Sequence, residues 1–438
     1  MKKRVAALLI ASVIMSMASG CSKKTSKNTH TGKLGSEDPV VITLDVPTVK
    51  RDNGKQAVFE LSATSGTQMT EEELNRAYSD FIFGLMKSCA EESDGGNVLI
   101  SADSILFALD MTAAGADGDT LTQMMNTMVP GVGNDQAFRY GVDRMNSLKN
   151  DSLQIANSVW INEARSENVY EDYLQYVKQN FDAGVSVLPF GPNAVDQIND
   201  WVAQKTKNRI SKLVDDLDGS SLMVLVNAIA FDGTWKTGYE DYQVYEDAFT
   251  NGNGERTTVT FLSSTESLYL SNDEATGFIK EYDDGKYAFM TILPNDASID
   301  INEFMADMTS DEYWEFWNSK DSSMEVQTKM PQFKSEYEVH LPMALQKMGM
   351  TDAFDERKAN FSNLCKTDAY ISDVIHKTYI EVDREGTKAA AATAVLITES
   401  CVAEPEPYHT VYCDRPYAYA IVDMDTGLPV FLGTVESV

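Results

Sequence analysis

A segment near the C-terminus, residues 383–397, constrains the fold more than any other part of the chain. It reads Asp-Arg-Glu-Gly-Thr-Lys-Ala-Ala-Ala-Ala-Thr-Ala-Val-Leu-Ile, and its alanines alone would favour a helix. With the two-residue period of a strand, one face would carry only small or β-branched side chains. These are Thr387, Ala389, Ala391, Thr393, Val395 and Ile397. Within 387–397 the one charged side chain, that of Lys388, falls on the opposite face. This pattern is typical of a loop that is first exposed and later slides between two strands.

The charge of the chain excludes one class of function. Lys and Arg number 36 against 67 Asp and Glu, which gives a net charge of −31 over 438 residues. A chain this acidic repels phosphate backbones, so we expect no nucleic-acid partner. Hydrophobic residues make up 43%, enough for a sizeable core.

The N-terminus has the pattern of an export signal. Lys2, Lys3 and Arg4 precede an apolar run, residues 6–17, that is too short for a permanent membrane span. Ala18-Ser19-Gly20 then leads to Cys21, as in a bacterial lipoprotein cleavage box. We therefore expect a signal peptide over 1–20, lipid on Cys21 and a polar tether over 21–66. The only membrane contact would be this anchor on an exported, cell-surface or extracellular protein. The alternative is an ordinary signal peptide with an incidental cysteine.

The remaining cysteines do not predict a metal site or a disulfide scaffold. Cys89, Cys365, Cys401 and Cys413 are scattered without any C-x-x-C spacing. Cys89 and Cys365 are interpreted as core residues.

The order of predicted elements indicates an α+β domain over residues 67–438. A helix should begin at Thr70, which has capping-box spacing to Glu73, and further helices are predicted over about 168–181 and 196–214. Strands follow, among them the apolar runs 223–231 and 286–293 and a hairpin of 417–422 with 429–435. Helices before strands, without regular alternation, favour α+β over a doubly wound sheet.

Six blocks in this domain resemble the serpin family of serine protease inhibitors. They are Asn97–Ile105 with Ala108–Met111 and Gly115-Ala116, Asn227–Trp235, Met330–Phe333 with Leu345–Gly349 and Asp352–Phe354, Ile375–Lys377, the segment after Arg384, and Arg415–Tyr417 with Pro429–Gly433. The family has Pro where Ala102 stands. The resemblance implies a metastable, monomeric fold of three β-sheets with eight or nine helices and an exposed reactive-centre loop. It also implies a covalent partner, the target serine protease, and no cofactor.

The resemblance assigns roles to individual residues. The loop hinge would be Arg384, Glu385, Gly386, Thr387, Lys388, Ala389, Ala390, Ala391, Ala392 and Thr393. Seventeen residues counted from Arg384 place the reactive bond between Ser400 and Cys401, with Glu399 or Cys401 as alternative residues before the bond. A small residue there implies an elastase-like or subtilisin-like target. Ser101, Ser104, Asn227 and His376 match the shutter, whose hydrogen bonds hold the central strands, and Trp235 matches the breach where the loop enters. Core packing is the alternative for His376 and Trp235.

One salt bridge of the family is absent. Relatives often pair an acidic residue at the position of Arg384 with a Lys at the position of Gln332. We expect this salt bridge, called the latch, to be missing or replaced. Its loss should change the stability of the fold little, because exposed ion pairs contribute only about 0–1 kcal/mol.

Two other classes of function fit the sequence less well. Catalysis is not expected, because the sequence has no G-x-S-x-G, H-E-x-x-H or G-x-x-x-x-G-K motif and no clustered metal ligands. The alternative to an inhibitor is a non-inhibitory serpin that binds or carries a ligand. Such members typically have charged, bulky or proline residues in the hinge, whereas residues 387–393 contain only Lys388.

Overall fold

In the computed structural model of the chain, the described residues are 8–17, 68–387 and 407–438, and of 8–17 only the backbone is described. These ranges contain nine α-helices. They are α1 (Glu71–Glu91), α2 (Ala102–Ala113), α3 (Gly118–Met128), α4 (Asn134–Leu148), α5 (Glu171–Phe181), α6 (Pro192–Lys205), α7 (Ile301–Asp307), α8 (Ser310–Asn318) and α9 (Pro342–Lys347).

The strands of the same ranges follow in chain order. They are β1 (Leu8–Met17), β2 (Leu99–Ile100), β3 (Leu153–Asn162), β4 (Gly184–Leu188), β5 (Ser221–Phe231), β6 (Gly233–Thr234), β7 (Val244–Thr250), β8 (Arg256–Glu266), β9 (Leu268–Ser271), β10 (Ala275–Glu281), β11 (Tyr287–Pro294), β12 (Val326–Pro331), β13 (Phe333–His340), β14 (Ala369–Val382), β15 (Gly386–Thr387), β16 (His409–Tyr412), β17 (Tyr417–Asp423) and β18 (Pro429–Val435).

Three large sheets organise the described strands. The central sheet has the order β13-β14-β1-β5-β3-β4, the second sheet β2-β18-β17-β11-β10-β9, and the third sheet β16-β12-β8-β7. A two-stranded ribbon pairs β15 with β6. The α+β prediction and the three predicted sheets are confirmed.

Strand β5 is buried on both faces, as its apolar run 223–231 predicted, and Asn227 is the one polar residue within that run. Alternate residues such as Leu225 and Ile229 belong to the main core, which α2 shares. The residues between them, such as Val226 and Ala228, belong to a second cluster formed with α6. Every residue of α2 is buried, so this helix lies inside the molecule beneath the central sheet.

The first predicted helix has the cap that its sequence indicated. The Thr70 hydroxyl accepts from the backbone N–H of Glu73, and the Glu73 carboxylate accepts from the backbone N–H of Thr70 at 2.7 Å. The helix predicted over 168–181 is α5, and the predicted hairpin is β17 with β18.

The prediction of one helix over 196–214 is wrong at its end. Helix α6 stops at Lys205, and Lys207 and Asn208 have left-handed backbone angles. The chain then folds back on the helix. The Asn199 side chain accepts from the N–H groups of Leu213 and Val214 at 2.7 and 3.0 Å. These hydrogen bonds hold the apolar side chains of 210–214 against α6 although the segment is not helical. The spacing of those apolar residues matched that of a helix, which is why the sequence predicted one.

A buried ion cluster joins α2, α4 and the β17–β18 hairpin. The Arg144 guanidinium donates to both carboxylate oxygens of Asp103, each at 3.0 Å, and to Asp423 at 2.9 Å. The Tyr78 hydroxyl donates to Asp103 at 2.9 Å, and the Lys286 ammonium lies 3.3 Å from Asp423. The side chains of Arg144, Asp103 and Asp423 are at most 2% exposed. Each buried charge therefore depends on its partners.

The described cysteines are single and buried. Cys89, Cys365 and Cys413 are unpaired, and burial raises the pKa of the Cys89 thiol to about 12. The prediction that Cys89 and Cys365 pack in the core is confirmed. None of the described helices combines the length and apolar character that crossing a membrane requires.

Candidate functional site: the central-sheet opening and the loop hinge

The strand position between β5 and β14, called the central-sheet opening below, holds an added strand. β1 lies there antiparallel to both neighbours, with Leu8 opposite Ala230 and Tyr379. β14 is 14 residues long, the same length as the segment 387–400 that is predicted to insert beside it. With β1 between β5 and β14, the central sheet has six strands and the position between these two strands is filled.

The occupant of the opening comes from the predicted signal peptide rather than from the predicted loop. Because the structure includes residues 8–17, it does not test the removal of residues 1–20, which stays a prediction. Several predicted site residues lie outside the described ranges: Cys21, Lys388, Ala389, Ala390, Ala391, Ala392, Thr393, Ser400 and Cys401.

The four predicted shutter residues lie together under the opening. The backbone N–H of Ser101 donates to Nε2 of His376 on β14 at 3.2 Å, and the Ser104 hydroxyl donates to Oδ1 of Asn227 on β5 at 2.7 Å. Ser101 and Ser104 stand at the start of α2, where the Ser101 hydroxyl also caps the helix. One helix terminus is thus bonded to both strands that border the opening. Ala11 of β1 pairs with Asn227 and with His376, so β1 separates these two residues.

Sequence reasoning missed Asn157, which extends this network. The Asn227 amide donates to Oδ1 of Asn157 at 2.7 Å, and the Asn157 amide donates to the carbonyl of Phe181 at 2.7 Å. Asn157 stands opposite Asn227 on β3, a pairing that exists only once the two strands are aligned. Because all of these side chains are buried, any loss of a partner would leave an unsatisfied polar group.

Trp235 lies directly below the start of the loop. Its indole N–H donates to the carbonyl of Asp383 at 2.9 Å, and its backbone N–H donates to the carbonyl of Glu385 at 3.1 Å. The ring stacks on Tyr282 with the centroids 4.6 Å apart. Burial raises the pKa of the Tyr282 phenol well above its usual range, so the group stays protonated and can donate a hydrogen bond.

The first hinge residues are fixed in a turn and a short strand. The Asp383 carboxylate accepts from the N–H groups of Glu385 and Gly386 at 2.7 and 3.2 Å. Gly386 then pairs with Thr234, so close that a Cβ at this position would lie 2.1 Å from the carbonyl oxygen of Gly233. Thr387 is fully buried, and its hydroxyl is hydrogen-bonded to the hydroxyl of Tyr282. Only a glycine followed by a small side chain fits this path.

Arg384 has a partner other than the family's latch residue. Its guanidinium lies 2.8 Å from the Asp241 carboxylate and donates to the carbonyl of Tyr239 at 2.9 Å. Asp241 is 95% exposed, so the pair contributes little to stability. A second ion pair, Lys334 with Glu381 at 2.6 Å, joins β13 to β14 nearby. The latch is thus replaced by a different contact between the hinge and the turn before β7.

Comparison with known proteins decides the family. The profile of the family described as Serpin (serine protease inhibitor) matches residues 76–438, most of the chain. The chain is a serpin. A serpin-like protein of Methanosarcina mazei is 31% identical over 374 residues, which cover 82% of this chain and 86% of that protein. Human Serpin B8 is 30% identical over 84% of this chain and its own full length. Mouse leukocyte elastase inhibitor A is 28% identical over 84% of this serpin and its own full length.

Solved structures agree with this assignment. The thermophilic serpin tengpin in its native state matches with a TM-score of 0.76 at 37% identity, covering 86% of this serpin and 96% of tengpin. Human thyroxine-binding globulin shares the fold with a TM-score of 0.72 at 23% identity, covering 84% of this serpin and 98% of the globulin. The recognition of the family from six sequence blocks is confirmed.

Within 68–387 and 407–438 no three His, Cys, Asp or Glu side chains converge to hold an ion. What the arrangement provides is mechanical: an opening for one strand, a polar network that spans it, and a hinge anchored at one end.

Proposed function

We propose that this serpin is an irreversible, suicide-substrate inhibitor of serine proteases. The protease serine attacks the carbonyl carbon of Ser400, the bond to Cys401 breaks, and the Cys401 amine leaves with a proton. The protease stays attached to Ser400 as an ester. The freed segment 387–400 then inserts into the central-sheet opening before water can hydrolyse the ester, and the attached protease is carried along and deformed.

One observation carries this proposal: the central sheet accepts an antiparallel strand between β5 and β14. The hinge starts beside this position, at the edge of the sheet where β5 and β14 both end. Phe231 ends β5 and Val382 ends β14 at this end, and Gly386–Thr387 pair with β6 immediately after β5. Fourteen inserted residues at about 3.3 Å each reach roughly 46 Å. About ten new backbone hydrogen bonds, at ~0.5–1.5 kcal/mol each, supply on the order of 10 kcal/mol, enough for a one-way step.

The proposed target class is an elastase-like or subtilisin-like protease. Ser400 would enter the primary specificity pocket, and a deep acidic pocket would find no cation to pair with. The likeness to mouse leukocyte elastase inhibitor A supports an elastase-like enzyme.

The test is to mix the chain 21–438 with a pancreatic-type elastase and with subtilisin, followed by denaturing gels and mass spectrometry. We expect a covalent band at the summed mass and a released C-terminal fragment that begins with Cys401. A fragment that begins one residue earlier or later would shift the reactive bond without changing the mechanism. Complete cleavage without any covalent band, across a wider panel of serine proteases, would favour the non-inhibitory alternative.

We further propose that the chain is exported and anchored through lipid on Cys21. The basic start, the apolar run 6–17 and the box Ala18–Cys21 support this location. Cleavage before Cys21 also removes β1, and the central-sheet opening becomes free for the loop. Expression in a bacterial host with labelled palmitate should label the wild-type chain and leave a Cys21→Ser variant unlabelled. Equal labelling of both chains would contradict the anchor.

A further inference from the structure

The exposed tyrosines of the described residues are concentrated beside the reactive loop. Seven large apolar or aromatic side chains are exposed in those ranges, and four of them are tyrosines on the third sheet or its edges. We call these four the tyrosine patch: Tyr242 (82% exposed), Tyr245 (41%), Tyr408 (48%) and Tyr412 (44%). Tyrosine offers a large contact area with few rotatable bonds, which is why it is enriched in protein interfaces.

Sheet register places the two halves of the patch on one face. Tyr245 on β7 is opposite Phe261, which is opposite Pro331 on β12. Tyr412 on β16 is opposite Lys329, two residues before Pro331 and therefore on the same face. The Lys329 ammonium lies 4.3 Å from the centre of the Phe261 ring, between the two tyrosines. Tyr245 and Tyr412 thus lie on one face of the third sheet, on its two edge strands β7 and β16, with the buried side chains of Phe261, Lys329 and Pro331 between them.

The surface around the patch is acidic. Lys329 is shared between Asp247 at 2.7 Å and Asp414 at 3.6 Å, and these two carboxylates are 47% and 44% exposed. The Lys329 ammonium beside Asp247 lowers the pKa of that carboxyl, so it stays charged at neutral pH. Glu240 and Asp241 add further exposed carboxylates directly before Tyr242 in the chain. Carboxylates therefore outnumber the cations Lys329 and Arg384 on this surface.

Both ends of the reactive loop join this surface. Arg384, at the start of the hinge, is bonded to Asp241, and Tyr408 follows the loop residues directly. Seven residues lie between Ser400 and Tyr408, so their Cα atoms are at most about 28 Å apart. A protease that holds Ser400 in its active site is consequently within reach of Tyr408.

We propose that the tyrosine patch and its carboxylates form a second docking surface for the target protease, which contacts it through a basic surface beside the substrate cleft. This inference rests on the proposed inhibitory function and adds the class of partner: a serine protease with a positively charged cleft rim. The patch raises the rate of encounter and the occupancy of the loop complex, whereas the loop alone performs the trapping.

The experiment measures association rate constants of the chain 21–438 with a basic elastase-type protease. The variant Tyr242→Ala/Tyr412→Ala should associate about tenfold more slowly at unchanged inhibitor-to-protease stoichiometry, since removing two interface tyrosines typically weakens contact by this amount. The control Ile299→Ala/Met343→Ala truncates two other exposed side chains, 40% and 62% exposed, and should stay within twofold of wild type. Succinylating the protease lysines, which reverses their charge, should remove most of the difference between variant and wild type.

A second experiment measures docking without the covalent trapping step. The same chains are titrated against the protease with its catalytic serine replaced by alanine, and binding is followed by fluorescence anisotropy. A weaker complex for the tyrosine variant alone supports the docking surface. Equal rates or equal affinities for variant and wild type would overturn it, and persistent covalent complexes in that case would leave the inhibitory function intact.

Discussion

Under the proposed mechanism, exchanging Thr387 and Lys388 is expected to turn this serpin from a protease inhibitor into a protease substrate. The exchange keeps the composition and moves the charge to the position where Thr387 is fully buried against Tyr282. An ammonium there would cost several kcal/mol to bury, so the anchored start of the hinge would open and the residues after it could not insert from a fixed end. The ester would then have time to hydrolyse. We expect the fraction of elastase trapped as covalent complex to fall at least tenfold on denaturing gels.

The control for this exchange is the single variant Lys388→Thr. It removes the lysine without placing a charge on the inward face, and it should trap protease as the wild type does. If the exchanged chain trapped protease at the wild-type ratio, insertion could not proceed through the buried position of Thr387, and the proposed mechanism would be wrong.

The second large effect is expected from Arg144→Met. This variant leaves the carboxylates of Asp103 and Asp423 buried without their main partner, a change that typically destabilises a protein by about 3–5 kcal/mol. That is a large share of the total stability of an ordinary domain. The midpoint of urea unfolding of the chain 21–438 should therefore shift to a lower urea concentration.

The pH dependence separates this effect from a mere loss of packing. Burial raises the pKa of the Asp103 carboxyl, and removing the guanidinium raises it further. As the pH rises above about 4, the unfolded chain releases the proton before the folded chain does, so unfolding is increasingly favoured. The loss of stability in the variant should be largest at neutral pH and shrink toward pH 4.

The control Lys87→Met removes a half-exposed partner of Glu91 and should change stability by less than about 0.5 kcal/mol. A pH-independent deficit for Arg144→Met would contradict the role of the buried charges.

Sequence reasoning succeeded where the physical cause is local. The capping box at Thr70, the hairpin at 423–429 and the doubly buried strand β5 each follow from neighbours in the chain, so pattern and structure agree. The serpin family and its fold also followed from residues read in order, because six blocks in one succession leave few alternatives.

Prediction failed where distant residues decide the local structure. Helix α6 ends at Lys205 because Asn199 bonds to Leu213 and Val214, a contact that hydrophobic periodicity does not record. Asn157 was missed for the same reason, since its place in the shutter network depends on the register of β3 against β5. Arg384 was expected to lack its family partner, and only the folded chain brings it to Asp241.

The sequence by itself determined that the chain is a serpin and that the hinge is compatible with insertion, because small and β-branched side chains at alternate positions are a local property of residues 387–397. The tertiary structure decided which residues border the central-sheet opening, that Leu8–Met17 fill it in this structure, and that Tyr245 and Tyr412 share one face of the third sheet. Strand pairing joins residues hundreds of positions apart, and its energy lies in contacts between segments rather than in either segment alone. The ion pairs of Arg144 depend on the tertiary structure for the same reason. Nothing in the sequence around Arg144 on α4 marks it as buried, and its partners Asp103 on α2 and Asp423 on β17 become its neighbours only in the folded core.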